Sequence, residues 1–333
     1  MKNLIRLFFT LTALLMLSVP NSFSQTSTYK VTGSINIGGE GFWDYTAIDK
    51  SMHRLFVSHG DKVHVIDLKT EKVIGEIDEL KGVHGIAFAQ EFGKGFISNG
   101  RSDSVTVFDL KTLKVIGGIH VTGKNPDAIV YEPFTKRIFT FNGRSSDATA
   151  IDAKTDKVVG TIALDGKPEF SASNAKGRMF VNIEDKSMIE EFDPKTLKVI
   201  SKWPIAPAES PSGLALDAKN EILFAGGDNN MMAIVNAKSG KVITTVPIGG
   251  HVDACAFDPE TQLAFSSNGE GTLTVVKEVS PAEFKVVENV TTEKSFRTMA
   301  LDLKTHKIYL PGTLVGKDQS KTFGVLILEK TGK

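Results

Sequence analysis

The sequence predicts an all-β protein: a seven-bladed β-propeller of four-stranded antiparallel blades, its ring closed by pairing of the N- and C-terminal strands. Three observations predict it. A hairpin recurs every 41 to 43 residues, a second hairpin follows each copy, and the two chain ends match neighbouring strands of one such hairpin. The recurring stretch is clearest at 105–119, Val-Thr-Val-Phe-Asp-Leu-Lys-Thr-Leu-Lys-Val-Ile-Gly-Gly-Ile. Apolar and polar residues alternate, a polar turn interrupts them over Asp109–Lys114, and the alternation resumes, which is the signal of a β-hairpin. Copies stand at 63–77, 149–162, 189–200 and 233–246. The turn opens at Asp67, Asp109, Asp152, Asp193 and Asn236, in steps of 42, 43, 41 and 43 residues. A period of this size decides the fold before any single element is assigned.

The elements follow in chain order. Tyr29–Ile35 matches the second strand of the recurring hairpin, as in Lys114–Ile119. The other hairpins begin at Tyr45, Gly85, Ala128, Phe170, Gly213, Ala254 and Thr298, which makes seven. Each pairs an apolar-leaning strand with a turn and a second strand. Ala128-Ile-Val-Tyr, then Glu132-Pro-Phe-Thr-Lys, then Arg137-Ile-Phe-Thr-Phe-Asn-Gly143 is one example. Pro and Gly punctuate the turns, while β-branched and aromatic residues fill the strands. An Asp that opens Asp-x-x-Thr caps its own turn, so Asp67, Asp109, Asp152 and Asp193 read as turn residues. The last strand, Phe323–Leu328, matches the first strand of the hairpin at Val105–Asp109. Joining it to Tyr29–Ile35 closes the ring and removes open edges. Four strands per unit fit a propeller blade, and only a ring of blades buries both faces of each.

The bulk composition agrees with a large globular core: 41% hydrophobic residues, with 39 basic and 39 acidic side chains. No charge excess points to nucleic acid as a partner. Lys2 and Arg6 precede the apolar run Leu7–Val19, and Ser22 and Ser24 flank Phe23 before Gln25. Residues 1–24 therefore read as a secretory signal, too short for a comfortable membrane span, with no Cys after it for a lipid anchor. The mature chain, residues 25–333, is expected as one propeller domain, secreted or periplasmic, monomeric, and without a membrane span. Cys255 is the only cysteine, so no disulfide can form within the chain. It lies in an apolar run and reads as a small buried residue.

These units resemble the YVTN-type repeat of the YncE-like seven-bladed propeller family. The residues that carry the resemblance are Phe96-Ile-Ser-Asn-Gly100 and Phe265-Ser-Ser-Asn-Gly269, then Val105–Asp109 with Thr112, Lys114, Val115 and Ile119, then Pro126 and Asp127. It covers residues 29–329 and departs from the pattern at Ile183-Glu184 and Pro311-Gly312. The resemblance implies the fold, and a binding or surface role without one shared chemistry.

Aligning the repeats picks out one polar residue at the start of every innermost strand: Asp44, His84, Asp127, Glu169, Ser212, Asp253 and Arg297. A second set stands 15 residues later each time: His59, Asn99, Asn142, Glu184, Gly227, Asn268 and Gly312. In antiparallel hairpins a constant offset brings both sets to one end of the sheet. The channel mouth is thus expected to carry four carboxylates in one ring, with His, Asn and Glu behind them. Such groups could hold a divalent cation through Asp44, His84, Asp127, Glu169 and Asp253, or they could be a solvated polar rim. Trp43, Tyr45, Phe170 and Phe296 flank the ring, either in the core or stacking on a ligand. His251 could join the site, whereas His53, His64, His120 and His306 read as plain surface or strand residues. The segment Pro311–Thr322 is expected as a long loop overhanging the mouth.

The sequence lacks Cys-x-x-Cys-His, Gly-x-Ser-x-Gly and a phosphate-cradling loop. The first functional reading is a binding or interaction protein with a polar funnel for a small molecule or a protein. The alternative is a metal-dependent hydrolase, lactonase or lyase using the same ring. A subunit of a quinone or haem oxidoreductase rests on fold analogy alone.

Overall fold

The alternation read from the repeats produces seven four-stranded antiparallel sheets, each a blade. The computed structural model describes residues 29–331; the expected leader, residues 1–24, lies outside them. The blades are numbered here by their innermost strands: Trp43–Asp49, Val83–Ala89, Pro126–Glu132, Pro168–Ser173, Pro211–Asp217, Val252–Asp258 and, for blade 7, the short Ala300–Leu301. Blade 7 takes its outer strand from the other end of the chain. Tyr29–Asn36 pairs antiparallel with Lys321–Lys330, with Ile35 opposite Val325 and Val31 opposite Leu328. This is the expected ring closure.

Burial explains why the strands differ in composition. The second strand of a blade is covered on both faces by its neighbours, so alternation gives way to a continuous apolar run. Ile222–Gly227 and Leu263–Asn268 are buried at every position. One aromatic ring sits at the centre of each second strand: Phe56, Phe96, Phe139, Phe180, Phe224, Phe265 and Tyr309, all essentially inaccessible. Each ring buried this way contributes about 2–3 kcal/mol, and the seven interlock blade with blade. Phe139, for example, packs on Phe192 of blade 4 at 5.6 Å between centroids. The outer strands face solvent and keep only one or two buried positions, as in Lys72–Ile77, where Ile77 is the buried residue.

The turns form as read. Asp109 Oδ1 accepts hydrogen bonds from the Lys111 and Thr112 N–H groups and from Thr112 Oγ1. Asp67 and Asp152 repeat the same three bonds. Two histidines expected to be plain surface residues instead tie blade 7 to its neighbours. His53 Nε2 of blade 1 lies 2.8 Å from Asp302 Oδ2, and His306 Nδ1 of blade 7 lies 2.7 Å from Asp258 Oδ2 of blade 6. Both partners are aspartates that also cap turns, so periodicity alone could not separate the two roles. His64 also has a specific partner, described below with His59.

Candidate functional site: an acid cup on the propeller axis

The ring residues reach the axis because the inner strands are bulged where they stand. In six blades the register with the second strand slips just there, between Trp43 and Thr46, Val83 and Ile86, Pro126 and Ile129, Pro168 and Ser171, Pro211 and Leu214, and Val252 and Ala254. A bulge inserts an extra residue and re-aims side chains. It also frees backbone groups, and small polar side chains of the second strands take them up. Asp44 N–H donates to Ser58 Oγ (3.0 Å) and Gly85 N–H to Ser98 Oγ (2.8 Å). Ser98 Oγ in turn donates to the Asp127 carbonyl of the next blade (2.5 Å), and Asn182 Nδ2 to the Ser212 carbonyl (2.9 Å). Thr298 Oγ1 donates to the Asp44 carbonyl (2.7 Å), and Ser267 Oγ to that of Arg297. Neighbouring blades are stitched together at the positions that carry the ring.

Two groups of side chains meet in the mouth. On one side His84 Nδ1 stands between Asp44 Oδ2, at 2.6 Å, and Asp127 Oδ1, at 3.5 Å. On the other, Arg297 Nε donates to Asp253 Oδ2 (2.5 Å) and Ser212 Oγ to Asp253 Oδ1 (2.8 Å). Lys167 bridges Glu169 (2.7 Å) and Glu184 (2.5 Å) beside them. Lys167, Glu169, Glu184, Ser212, Asp253 and Arg297 line a cleft of about 310 Å³, which His251 and Asp228 also border.

The floor is aromatic. Tyr45 of blade 1 and Phe170 of blade 4 come from nearly opposite sides of the ring, and their rings meet at 4.6 Å. Both rings are half-buried, and they meet across the axis below the ring residues. Trp43 and Phe296 belong to the packing instead: Trp43 lies against Phe323 at 5.8 Å, and Phe296 is fully buried. At the rim stands Phe42, 54% exposed, with its ring edge-on to His84 at 6.3 Å and under the Arg297 guanidinium at 5.8 Å. It is carried by the segment 38–42, whose glycines Gly38, Gly39 and Gly41 adopt φ of 93°, 79° and 149°, a region that side chains disfavour.

A crowded cup of like charges raises the cost of charging its acids. Burial, followed by the charge of Asp44, pushes the Asp127 carboxyl up to about 7. Burial and then Asp127 push Glu169 up to about 8, against the pull of Lys167. Burial also raises Asp44, opposed by its hydrogen bond to His84. Burial alone would lower His84, but the bond to Asp44 and the charges of Asp127, Asp44 and Glu169 outweigh it, so the imidazole is raised and donates from Nδ1.

The second set of predicted residues divides. Glu184 joins the cup through Lys167. Asn99, Asn142 and Asn268 lie at the same end of the sheet but do not face the axis. They are buried, and their amides bond within their own blades: Asn99 Nδ2 to Thr106 Oγ1, Asn142 Nδ2 to Thr149 Oγ1, and Asn268 Nδ2 to Thr274 Oγ1. The offset of 15 placed these residues along the strand, while the pleat turned their side chains away. His59 also lies outside the cup, stacked on Phe323 at 3.9 Å with Nδ1 3.2 Å from His64 Nε2. Pro311–Thr322 is not a loop over the mouth. Its residues extend the strands Ile308–Val315 and Lys321–Lys330 around a tight turn, and its flank lines a groove with Gly39–Gly41 that holds no ring residue. Phe42 and Lys167 went unpredicted. The glycines around Glu40 and the place of Lys167 just before Pro168-Glu169 were the available signals.

The fold and this mouth define a class: a seven-bladed β-propeller with an acid-lined axial cup. No protein-family model matches the chain, and no curated protein does. Among solved structures it is similar to one titled "Structure of U3-55K", with a TM-score of 0.75 over 89% of this chain and 97% of that one, at 7% sequence identity. At that identity the likeness shows the propeller fold alone.

Proposed function

We propose that this chain is an exported propeller of the YVTN type that captures a small polar ligand in the axial cup. The observation that carries the reading is the surplus of carboxyl groups: among the described residues, Asp44, Asp127, Glu169, Glu184 and Asp253 face His84, Lys167 and Arg297 alone as cationic partners. Buried and half-buried acids left short of positive charge favour a ligand that brings hydrogen-bond donors or a cation. The exposed Phe42 and the aromatic floor supply apolar contact around it. Export rests on Lys2, Arg6 and the apolar run that follows. Protein from its native host is expected to begin near Gln25, and an N-terminus at Met1 overturns export.

The test of the cup is a thermal-shift screen of polar amines and sugars, followed by titration of the hits. The Asp127→Ala and Asp253→Ala substitutions are each expected to weaken binding by roughly 1–3 kcal/mol, as for buried hydrogen-bonded charges. Normal binding by the double variant, with binding lost on substitution of the opposite face, places the site elsewhere. The second reading, a metal-dependent lactonase or lyase, is favoured by one feature, the imidazole set between two carboxyl groups. Turnover of a lactone panel in the presence of zinc or manganese, lost in His84→Ala, supports it; its absence leaves the binding reading.

A further inference from the structure

We propose that Asp44, His84 and Asp127 form a site for one first-row divalent cation, zinc or manganese, at the base of the cup. The proposal deepens the cup reading and rests on it. Paired carboxyl groups alone are common on protein surfaces. Here a ring nitrogen is built between them, and the three donors come from three consecutive blades. One donor atom from each of Asp44, His84 and Asp127 lies within 4.8 Å of the other two. Such ions take nitrogen and oxygen donors at about 2.0–2.2 Å, which separates neighbouring donors by roughly 3–3.6 Å. The His84–Asp127 separation of 3.5 Å already fits. The 2.6 Å separation from Asp44 is that of a hydrogen bond, and it needs to open by under about 1 Å once the Nδ1 proton has left. Binding then replaces the Nδ1 proton, together with any proton held on the Asp44 and Asp127 carboxyl groups, with one ion, and these protons are released to solvent. A mixed imidazole and carboxylate set suits zinc or manganese better than calcium.

The surroundings hold the donors in this geometry. The Asp127 and Asp44 backbones are pinned by Ser98 and Thr298 from adjacent blades. His84 fits only because residue 100 has no side chain: a Cβ there would lie 2.5 Å from His84 Nε2 and 2.9 Å from Asn125 Oδ1. Gly100 therefore leaves the space that lets the imidazole present Nδ1 to the axis. The Tyr45–Phe170 pair lies below the site, and the 310 Å³ cleft beside it leaves room for a further ligand.

The experiment titrates full mature protein, stripped with chelator and desalted, with zinc or manganese chloride by calorimetry, alongside the shift in melting temperature. One ion per chain is expected, with a rise in melting temperature. His84→Ala and Asp127→Asn should each weaken binding by about tenfold or more. Gly100→Ala, which moves the imidazole without removing a donor, should weaken it as well. His120→Ala, on the exposed outer strand of blade 2, should bind as the parent does. Melting of the apo variants verifies that they fold, and Asp127→Asn serves if Gly100→Ala does not. Absence of saturable one-to-one binding, or binding unchanged by His84→Ala, overturns the site. If no ion binds while a screened organic ligand is still lost in Asp253→Ala, the metal is wrong and the cup stands. If the ion binds as expected and organic ligands bind on another face, the metal stands and the cup reading falls.

Discussion

At the scale of single residues, the acids of the cup are held in a state that sequence position does not dictate. Glu169 is buried beside Asp127, which drives its carboxyl up to about 8 despite Lys167 at 2.7 Å. A folded pKa above the unfolded value means stability that is complete below about pH 4 and is lost as pH rises through about 8. Glu169→Gln removes that loss. The difference in unfolding free energy between variant and parent should therefore move in the variant's favour between pH 5 and pH 9, on the order of 2–4 kcal/mol. The comparison reads only the change of that difference with pH, so any pH-independent cost of the substitution cancels. Urea denaturation at the two pH values measures it, and a constant difference refutes the buried-acid account. The same burial makes Cys255 inert: burial pushes its thiol up to about 12.

At the scale of elements, the inner strands owe their function to their bulges, and two histidine–aspartate contacts add to the apolar packing that joins blade 7 to its neighbours. Blade 7 has the shortest inner strand, two residues, and correspondingly little backbone pairing there. Asp258 and Asp302 compensate. Burial opposes their ionisation, yet hydrogen bonds from Thr261 and His306, and from Thr305 and His53, hold both carboxyl groups below the usual range. Lowered pKa values give stability that is present above the unfolded value and lost as pH falls through the folded one. The Asp258→Ala, Asp302→Ala double variant should lose about 2–4 kcal/mol at pH 7, and progressively less as pH falls below the ordinary carboxyl range and through the lowered folded values. A loss that does not change as pH falls would show that the ionised carboxyl groups are not what stabilises this contact.

At the scale of the whole molecule, the ring is closed by one strand pairing. Lys321–Lys330 holds both the second strand of blade 7 and the N-terminal strand Tyr29–Asn36. Removing residues 323–333 should expose both partners as open edges and strip Val325, Ile327 and Leu328 from the core. The truncated chain is expected to aggregate or to unfold without a single cooperative transition, read by sedimentation velocity and calorimetry. Unchanged melting and solubility would mean that six blades and part of a seventh suffice.

What the sequence determined by itself was the repeat and everything that depends on it: seven blades, the strand order, the Asp-x-x-Thr turns, the ring closure and the one polar residue per blade at the start of each inner strand. These follow from period-2 alternation within strands and a 41–43-residue period between blades, both local properties of the chain. Only the tertiary structure decided which polar residues meet. Asn99, Asn142 and Asn268 share the ring's end of the sheet, yet the pleat turns them into their own blades, while Phe42 and Lys167, outside the repeat pattern, are brought in. Pro311–Thr322, whose length suggested a cover for the mouth, became a hairpin extension, and the glycine-rich segment before Phe42 reached the rim instead. The Tyr45–Phe170 contact joins blades 1 and 4, 125 positions apart in the chain, and puts an aromatic floor beneath the polar rim. Strand pattern fixes where along a blade a side chain stands. Whether that side chain meets water, a partner or the axis depends on six other blades, and no single repeat contains that information.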